Sequence, residues 1–512
     1  MVAIVLGQML GLVRGILVAR AFPPSDLDAF FAANRVSETL FMLIAAGALG
    51  SAFIPTFAGM LARDARAAAW RLASSLANLI LLILSGLALL AAVFAPVIVR
   101  YLLAPGFSAD PAQFGLTVEL LRLQLASVVF FGLGGLLVGI LNAHQVFFVP
   151  ALTPSMYQLG LIFGVLILGP SMGVRGLAWG VVAGACLYLL LQLPALFSVA
   201  RAGASTAPTA RYTPTLGLRD TSVQHVVALM LPRVMGIGVV QLNFWVNTWL
   251  ASQMQPGSVA GLQYGFSLML MAQAAIAQSV AIAAMPTFSA QHALGKLDEL
   301  RGSLVASLRG ILLLAAPASA GLIILREPIV TLLYQRGQFD AQMTALVSWA
   351  LLWYAAGLVG HSVLEVLTRA FYAQQDTRTP VIVGATAMAL NVVLSLAFSA
   401  MFARAGWMPH GGLALANSVA TALEMAVLYI LMRRRLGTMN GRSISLGLVH
   451  ALAGTAGLCA AVVPVTRLDL PAWSTTIGGV FLGAGVYFIV MRLLREPELA
   501  AVYAGLMRRL GR

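Results

Sequence analysis

Apolar runs long enough to cross a bilayer follow one another along nearly the whole chain, separated mostly by short loops. Inside hydrocarbon the backbone must satisfy its own hydrogen bonds, so runs of this length dictate helices. Fourteen spans are predicted, at approximately 1–22, 28–60, 72–104, 114–142, 146–169, 174–200, 223–252, 257–288, 302–334, 341–370, 378–403, 411–432, 443–466 and 472–491. Hydrophobic residues make up 60% of the 512 and charged residues only 9%, which excludes a soluble core of this size. The expected fold class is an all-α integral membrane protein. Cys186 and Cys459 lie in apolar runs and point to neither a disulfide framework nor a metal cluster.

The second half repeats the first. Ile54-Pro55-Thr56-Phe57 recurs as Met285-Pro286-Thr287-Phe288, and Val99-x-x-Leu102…Gly106 as Val330-x-x-Leu333…Gly337, both at an offset of 231. Asn142-Ala143-His144-Gln145…Pro150 recurs as Tyr372-Ala373-Gln374-Gln375…Pro380 at 230, and Gly176-Leu177-Ala178 as Gly412-Leu413-Ala414 at 236. Four landmarks in one order describe two six-helix lobes in the same orientation, with a site expected between them. The expected divisions are an N-terminal lobe at 1–200, a cytoplasmic linker at 201–222 and a C-terminal lobe at 223–436. Two extra helices at 437–495 and a basic amphipathic tail at 496–512, or simply a solvated end, complete the chain.

Charge sets the orientation. Counted over alternate loops, nineteen Lys and Arg fall on one side and six on the other, and the richer side is cytoplasmic. Both termini are therefore expected inside. A sequence pI of about 10.6 would suit nucleic acid, but the basic residues are spread over short loops, which is a topology pattern. The apolar start runs directly into further hydrophobic segments, so no cleavable signal is read.

Charges inside the predicted spans are the functional candidates, because each is costly at mid-bilayer without a partner or a watery cavity. They are Arg14, Arg20, Arg35, Arg122, Arg233 and Arg309, with Glu38, Glu119, Glu365 and Glu424. Arg14 shares a helix face with Gly7 and Gly11, the small-residue side that faces protein. Its guanidinium offers paired donors to a pyrophosphate; the alternative is a structural arginine bonded to carbonyls. Arg35 and Glu38 are three apart and form either a structural pair or part of a cavity. Glu119 and Arg122, also three apart, are read as structural. Arg20 is expected to snorkel to the interface. Asp28 opens the second helix, either as a cavity residue or as an ordinary helix-start carboxylate. Arg233 follows Pro232 in the repeat counterpart of the first helix. His361, Glu365 and Arg369 could form a gating or proton-sensitive cluster, against a plain packing histidine.

The layout resembles the MurJ/MviN family, the lipid II flippases within the multidrug/oligosaccharidyl-lipid/polysaccharide exporter superfamily. The resemblance rests on Leu10-Gly11-Leu12-Val13-Arg14, Val18-Ala19-Arg20, Asp28-Ala29-Phe30-Phe31, Ala104-Pro105-Gly106-Phe107 and Gly139-Ile140-Leu141-Asn142. It continues with Gly257-Ser258-Val259, Gly337-x-Phe339 and Phe371-Tyr372-x-x-Gln375-Asp376-x-x-Thr379-Pro380. It implies translocation of an undecaprenyl-linked headgroup by alternating access, with Arg14 at the family's cavity arginine and the tail in a groove formed with the last two helices. Gly47 and Gly50 are expected bending points in the overlong second helix.

The cavity departs from the family. Gln8 stands where an arginine is usual, Phe41-Met42 where basic residues are usual, and Tyr264–Leu270 carries no charge. By the same resemblance, Met1 falls about ten residues into the usual sequence. Where some relatives hold sodium with carboxylates, this chain offers the neutral oxygens of Asn243, Asn247, Asn391, Asn417 and Thr421. No metal or cofactor is expected. No Gly-Lys-Ser/Thr phosphate loop occurs, so ATP is not the direct energy source. No nucleophile–base or paired-carboxylate constellation marks an enzyme. Three readings remain: a lipid II flippase, a diverged exporter of another lipid-linked glycan or amphiphile, and a non-transporting scaffold. Expected partners are a polyprenyl-diphosphate-linked saccharide and membrane lipid, with cell-wall synthesis enzymes as further candidates.

Overall fold

A computed structural model describes residues 2–43, 52–202, 212–437 and 441–496, nearly all helical. Up to the linker the helices are α1 (Val2–Ala21), α2 (Pro24–Phe41), α3 (Ile54–Ala62), α4 (Arg66–Val93), α5 (Pro111–Ala143), α6 (Phe148–Met172) and α7 (Val174–Arg201). Beyond it come α8 (Thr221–Ala251), α9 (Ser258–Ala293), α10 (Leu297–Ile324), α11 (Arg326–Tyr334), α12 (Ala341–Ala356) and α13 (Leu358–Ala373). The last four are α14 (Arg378–Arg404), α15 (His410–Leu436), α16 (Gly441–Thr466) and α17 (Ala472–Leu493). Starts are set by local chemistry: Asp110, Asp220 and Asp340 accept from Ala112, Ser222 and Met343 backbone N–H at 2.8–2.9 Å, capping α5, α8 and α12.

Among the described residues eleven helices are long and apolar enough to cross a membrane, or twelve if α12 and α13, bent by 48°, make one span. α2 is not one of them, because its 18 residues carry Asp26, Asp28, Arg35 and Glu38. Gly47, Gly50 and the tail beyond Glu496 lie outside the described residues, as does the side chain of Arg233.

The chain divides into two compact units, Met1–Ala260 with Arg336–Phe339, and Gly261–Gln335 with Asp340–Arg512. In the first unit α5 packs along α2, α4 and α7, and α6 lies between α1 and α7. Gly160 and Gly164 of α6 meet Gly180 and Gly184 of α7 so closely that an added Cβ would collide with the facing backbone. Small residues permit that approach where lipid supplies no hydrophobic drive. α8 also belongs to this unit. The strap before it is pinned to α4: Asn78 Nδ2 donates to the Thr213 and Thr215 carbonyls at 3.2 and 2.8 Å, and Tyr212 donates to Asn78 Oδ1 at 2.5 Å. Gln338 N–H donates to the Arg20 carbonyl at 3.1 Å, which places the short segment around Gly337 here too.

In the second unit α15 packs against α12, α13 and α14, and α10 against α13 and α16. Phe288, Leu304, Leu308, Ile311, Leu367, Phe371, Leu428 and Met432 form its core. The last helix is fastened by Tyr487, whose hydroxyl donates to the Leu313 carbonyl at 2.6 Å. Just beyond it Glu496, its side chain 2% exposed, pairs with Arg309 and with His450 Nδ1, both at 2.7 Å. Burial pushes the Glu496 carboxyl up, but the bonds from His450 and Arg309 outweigh it and hold the group below its usual range.

A second ion pair closes the loop before α14. Asp376 accepts from the Thr379 backbone and hydroxyl and pairs with Arg435 at 2.5 Å. Burial raises this carboxyl, and the Thr379 and Arg435 contacts bring it down to about 2 from 3.8. A carboxyl with a depressed folded value contributes stability that is fully present above 3.8 and lost as pH falls towards about 2. Asp376→Asn is expected to lower the unfolding midpoint at neutral pH, with the difference from wild type vanishing near pH 2. Thermal unfolding across pH checks this; a gap independent of pH would contradict it.

Candidate transport site

The candidate site grows from α1. Its Gly7 and Gly11 lie against α6, where an added Cβ would stand 3.5 Å from Ser155 Oγ and 3.6 Å from Gln158 Nε2. The small-residue face therefore turns to protein, and Arg14 follows within a turn. Arg14 is partly buried and, among the described residues, makes no hydrogen bond and no ion pair. Partly buried Tyr157 of α6 lies within reach of the charges of both Arg14 and Glu38, which brings α1, α2 and α6 to one place.

Arg35 is matched within its own helix. Arg35 Nη1 donates to Glu38 Oε2 at 2.9 Å, and its guanidinium lies 5.0 Å from the Phe244 ring centroid. One helical turn on, Thr39 donates to the Arg35 carbonyl at 2.7 Å and accepts from Trp245 Nε1 at 2.8 Å, with Gln241 Oε1 at 3.4 Å. Sequence reasoning missed Thr39, Gln241, Trp245 and Tyr157. The signal for the α8 pair was present: Gln241 and Trp245 are four apart, so polar tips recur on one face of an otherwise apolar helix. The α2–α8 group is thus an internally matched ion pair with a hydroxyl and an indole, and Arg14 is linked to it through Tyr157; a guanidinium of this kind offers paired donors to an anion.

Asp28 stands apart from this cluster. It is 2% exposed, and it accepts from Gly257 N–H at 2.6 Å and Ala260 N–H at 2.7 Å, capping the start of α9. The exposed helix-start reading is therefore replaced by a buried clamp across 229 positions of sequence. Its loss leaves buried backbone donors unpaired, each costing about 1–3 kcal/mol. Asp28→Ala is expected to destabilise the folded protein by at least that much in thermal unfolding. A midpoint equal to wild type would contradict the clamp.

The remaining candidates disperse. Asn247 Nδ2 lies 3.5 Å from Asn243 Oδ1 in the first unit, whereas buried Asn391 and Thr421 belong to the second. Asn391 accepts from Ser395 at 3.0 Å. His361 bonds Asn417 Oδ1 at 3.1 Å, while Glu365 and Arg369 pair with each other at 2.9 Å. Glu119 does not pair with Arg122. It takes a two-pronged bond from Arg175 at 2.7 and 2.9 Å, and Arg122 donates to the Ala92 carbonyl at 3.0 Å. Among the described residues no three His, Cys, Asp or Glu side chains gather as metal ligands.

A bundle of bilayer-length helices of this kind defines the class, a multi-pass membrane protein. The family model described as "Lipid II flippase MurJ" matches residues 22–479, and the chain belongs to that family of the bacterial inner membrane. It is 30% identical over 433 residues to the lipid II flippase MurJ of Burkholderia cenocepacia, covering 84% of this chain and 82% of that relative. It is also 30% identical over 441 residues to the probable lipid II flippase MurJ of Vibrio cholerae, covering 83% and 80%. The fold resembles a solved lipid II flippase MurJ in an inward closed conformation, with TM-score 0.81 at 24% identity, covering 97% of this chain and 99% of that one. An inward-facing multidrug MATE transporter of the same superfamily aligns with TM-score 0.70 at 16% identity, over 85% and 96%.

Proposed function

We propose that this chain moves lipid II, the undecaprenyl-diphosphate-linked peptidoglycan precursor, from the inner to the outer leaflet by alternating access. The observation that carries the reading is Arg14, a cation held inside a membrane helix bundle with no protein partner among the described residues. Such a charge is retained where something else neutralises it, and a diphosphate does so with paired hydrogen bonds. Arg35 is already matched by Glu38, so it shapes the site more than it charges it.

In this reading the chain crosses the membrane fourteen times, as two six-helix lobes of parallel repeat and two added helices, with both termini cytoplasmic. The linker at 201–222 separates lobes at 1–200 and 223–436, and the tail at 496–512 lies on the inner leaflet. The headgroup enters between the lobes from inside, the lobes rock, and the headgroup leaves outside. The polyprenyl chain stays in lipid beside the added helices throughout. Asp28 steadies the start of α9. Membrane lipid and cell-wall synthesis enzymes are the surrounding partners.

The test is complementation. This chain is expressed in a bacterium depleted of its own lipid II flippase, with its membrane level measured. Survival is expected, and lysis despite good expression would overturn the reading. The uncharged stretch Tyr264–Leu270 favours one second reading, an exporter of a less anionic lipid-linked glycan or amphiphile. Lysis together with export of such a cargo from vesicles would select it.

A further inference from the structure

Glu424 lies near the middle of the 27-residue helix α15 and is only partly exposed. Its carboxyl sits at the seam with α14, against Gly384: a Cβ added there would come 3.0 Å from Glu424 Oε1. The missing side chain at Gly384 is what gives the carboxyl room. Among the described residues it has no ion pair and no hydrogen bond.

The charged and titratable groups of every packed element are accounted for elsewhere. On α13, His361 is bonded to Asn417, and Glu365 and Arg369 pair together, with Tyr372 beyond them. On α14, Arg378 and Arg404 are exposed at the two ends of the helix. On α10, Arg301 pairs with Asp298 and bonds the Leu436 carbonyl, Glu299 pairs with Lys296, and Arg309 pairs with Glu496. α12 contributes only Tyr354. On α15 itself His410 bonds the Leu346 carbonyl, Tyr429 lies beyond Glu424, Arg433 and Arg434 are exposed at the end, and Arg435 pairs with Asp376.

We propose that Glu424 is a proton-binding site of this protein, occupied in the conformation seen here and emptied when the α14–α15 seam reaches water. A bare carboxylate without a counter-charge is disfavoured at that depth, whereas the neutral acid is tolerated. Binding adds one proton to one carboxylate oxygen, and release returns it to water without any other reactant. Asn417 and Thr421 stand seven and three residues before Glu424, on the same face of α15. Across the seam Asn391 of α14 is buried, and its Nδ2 has no hydrogen-bond partner. The acid thus ends a column of polar side chains in an apolar unit. Ionised and neutral forms favour different packings of the seam, so occupancy biases the transport cycle. That last step rests on the transport reading above; the proton site itself does not.

The experiment is infrared difference spectroscopy of the purified full chain in lipid nanodiscs, between about pH 5 and about pH 9. Wild type is expected to show a protonated-carboxyl band that titrates, and Glu424→Gln to lose one carboxyl's worth of it. Glu424→Asp, which keeps the acid, should retain a shifted band and controls for folding. A band equal in wild type and Glu424→Gln overturns the proposal. In the complementation strain, collapse of the pH gradient should slow growth supported by wild type but not growth supported by Glu424→Gln. Equal sensitivity of the two would overturn the coupling. Failure of wild type to complement would sink the transport reading and leave the infrared result to decide the proton site.

Discussion

Arg14→Ala is expected to abolish rescue of a flippase-depleted strain while leaving expression and membrane insertion intact. The guanidinium makes no hydrogen bond or ion pair among the described residues, so its removal strands no acceptor there. Whatever is lost must be lost on the substrate. A charge-assisted hydrogen bond is worth about 1.5–3 kcal/mol, so two to a diphosphate amount to a hundredfold or more in affinity. Arg14→Lys keeps the charge but not the paired geometry, and an intermediate growth rate is expected. The decisive comparison is Arg14→Ala against Arg35→Ala. The latter leaves Glu38 unmatched and disturbs the Phe244 contact, so it should lower stability, whereas Arg14→Ala should not. Wild-type rescue by Arg14→Ala would remove the guanidinium from the transport site.

Glu496→Ala is expected to produce the largest loss of stability. Glu496 answers two basic groups at once, Arg309 on α10 and His450 on α16, and the Arg309 side chain is only 12% exposed. Removing one member of a buried ion pair leaves the other uncompensated and costs about 3–5 kcal/mol. Replacing the pair together, as Arg309→Met with Glu496→Leu, should recover most of that loss, because two apolar side chains need no partners. Thermal unfolding in detergent of the single and double variants makes the cycle. A double variant no better than Glu496→Ala would mean the residue acts through something other than this pair.

Local chemistry was the legible part of this chain. The apolar runs declared the helices; the caps at Asp110, Asp220 and Asp340 went unread although each lies within three residues of its partner. The small-residue face of α1 was likewise readable from spacing, and Arg14 followed from it. Pairings across the fold were not readable. Glu119 had a plausible partner three residues away in Arg122 and took Arg175 instead, 56 positions on. Asp28 reads as a cavity residue or an ordinary helix-start carboxylate, and nothing near it in sequence announces that it accepts from Gly257 and Ala260. Thr39 and Trp245 are separated by 206 positions, and neither type in a membrane helix announces a partner. Periodicity gives a residue its face, and only the packed helices decide what that face meets.

The strap pinned by Asn78 has a consequence for how the molecule can be taken apart. Peptide connectivity is not the only thing that keeps α8 with the first unit. The Tyr212, Thr213 and Thr215 contacts moor its approach to α4, and Trp245 moors its body to α2. A nick in the stretch 203–211 therefore opens a covalent link across which non-covalent attachments still hold, and the effective concentration of α8 at its seat falls far less than the cut suggests. For anyone building the transporter from two fragments, α8 has to travel with the helices that precede the hydrophilic linker, because that is where its attachments lie.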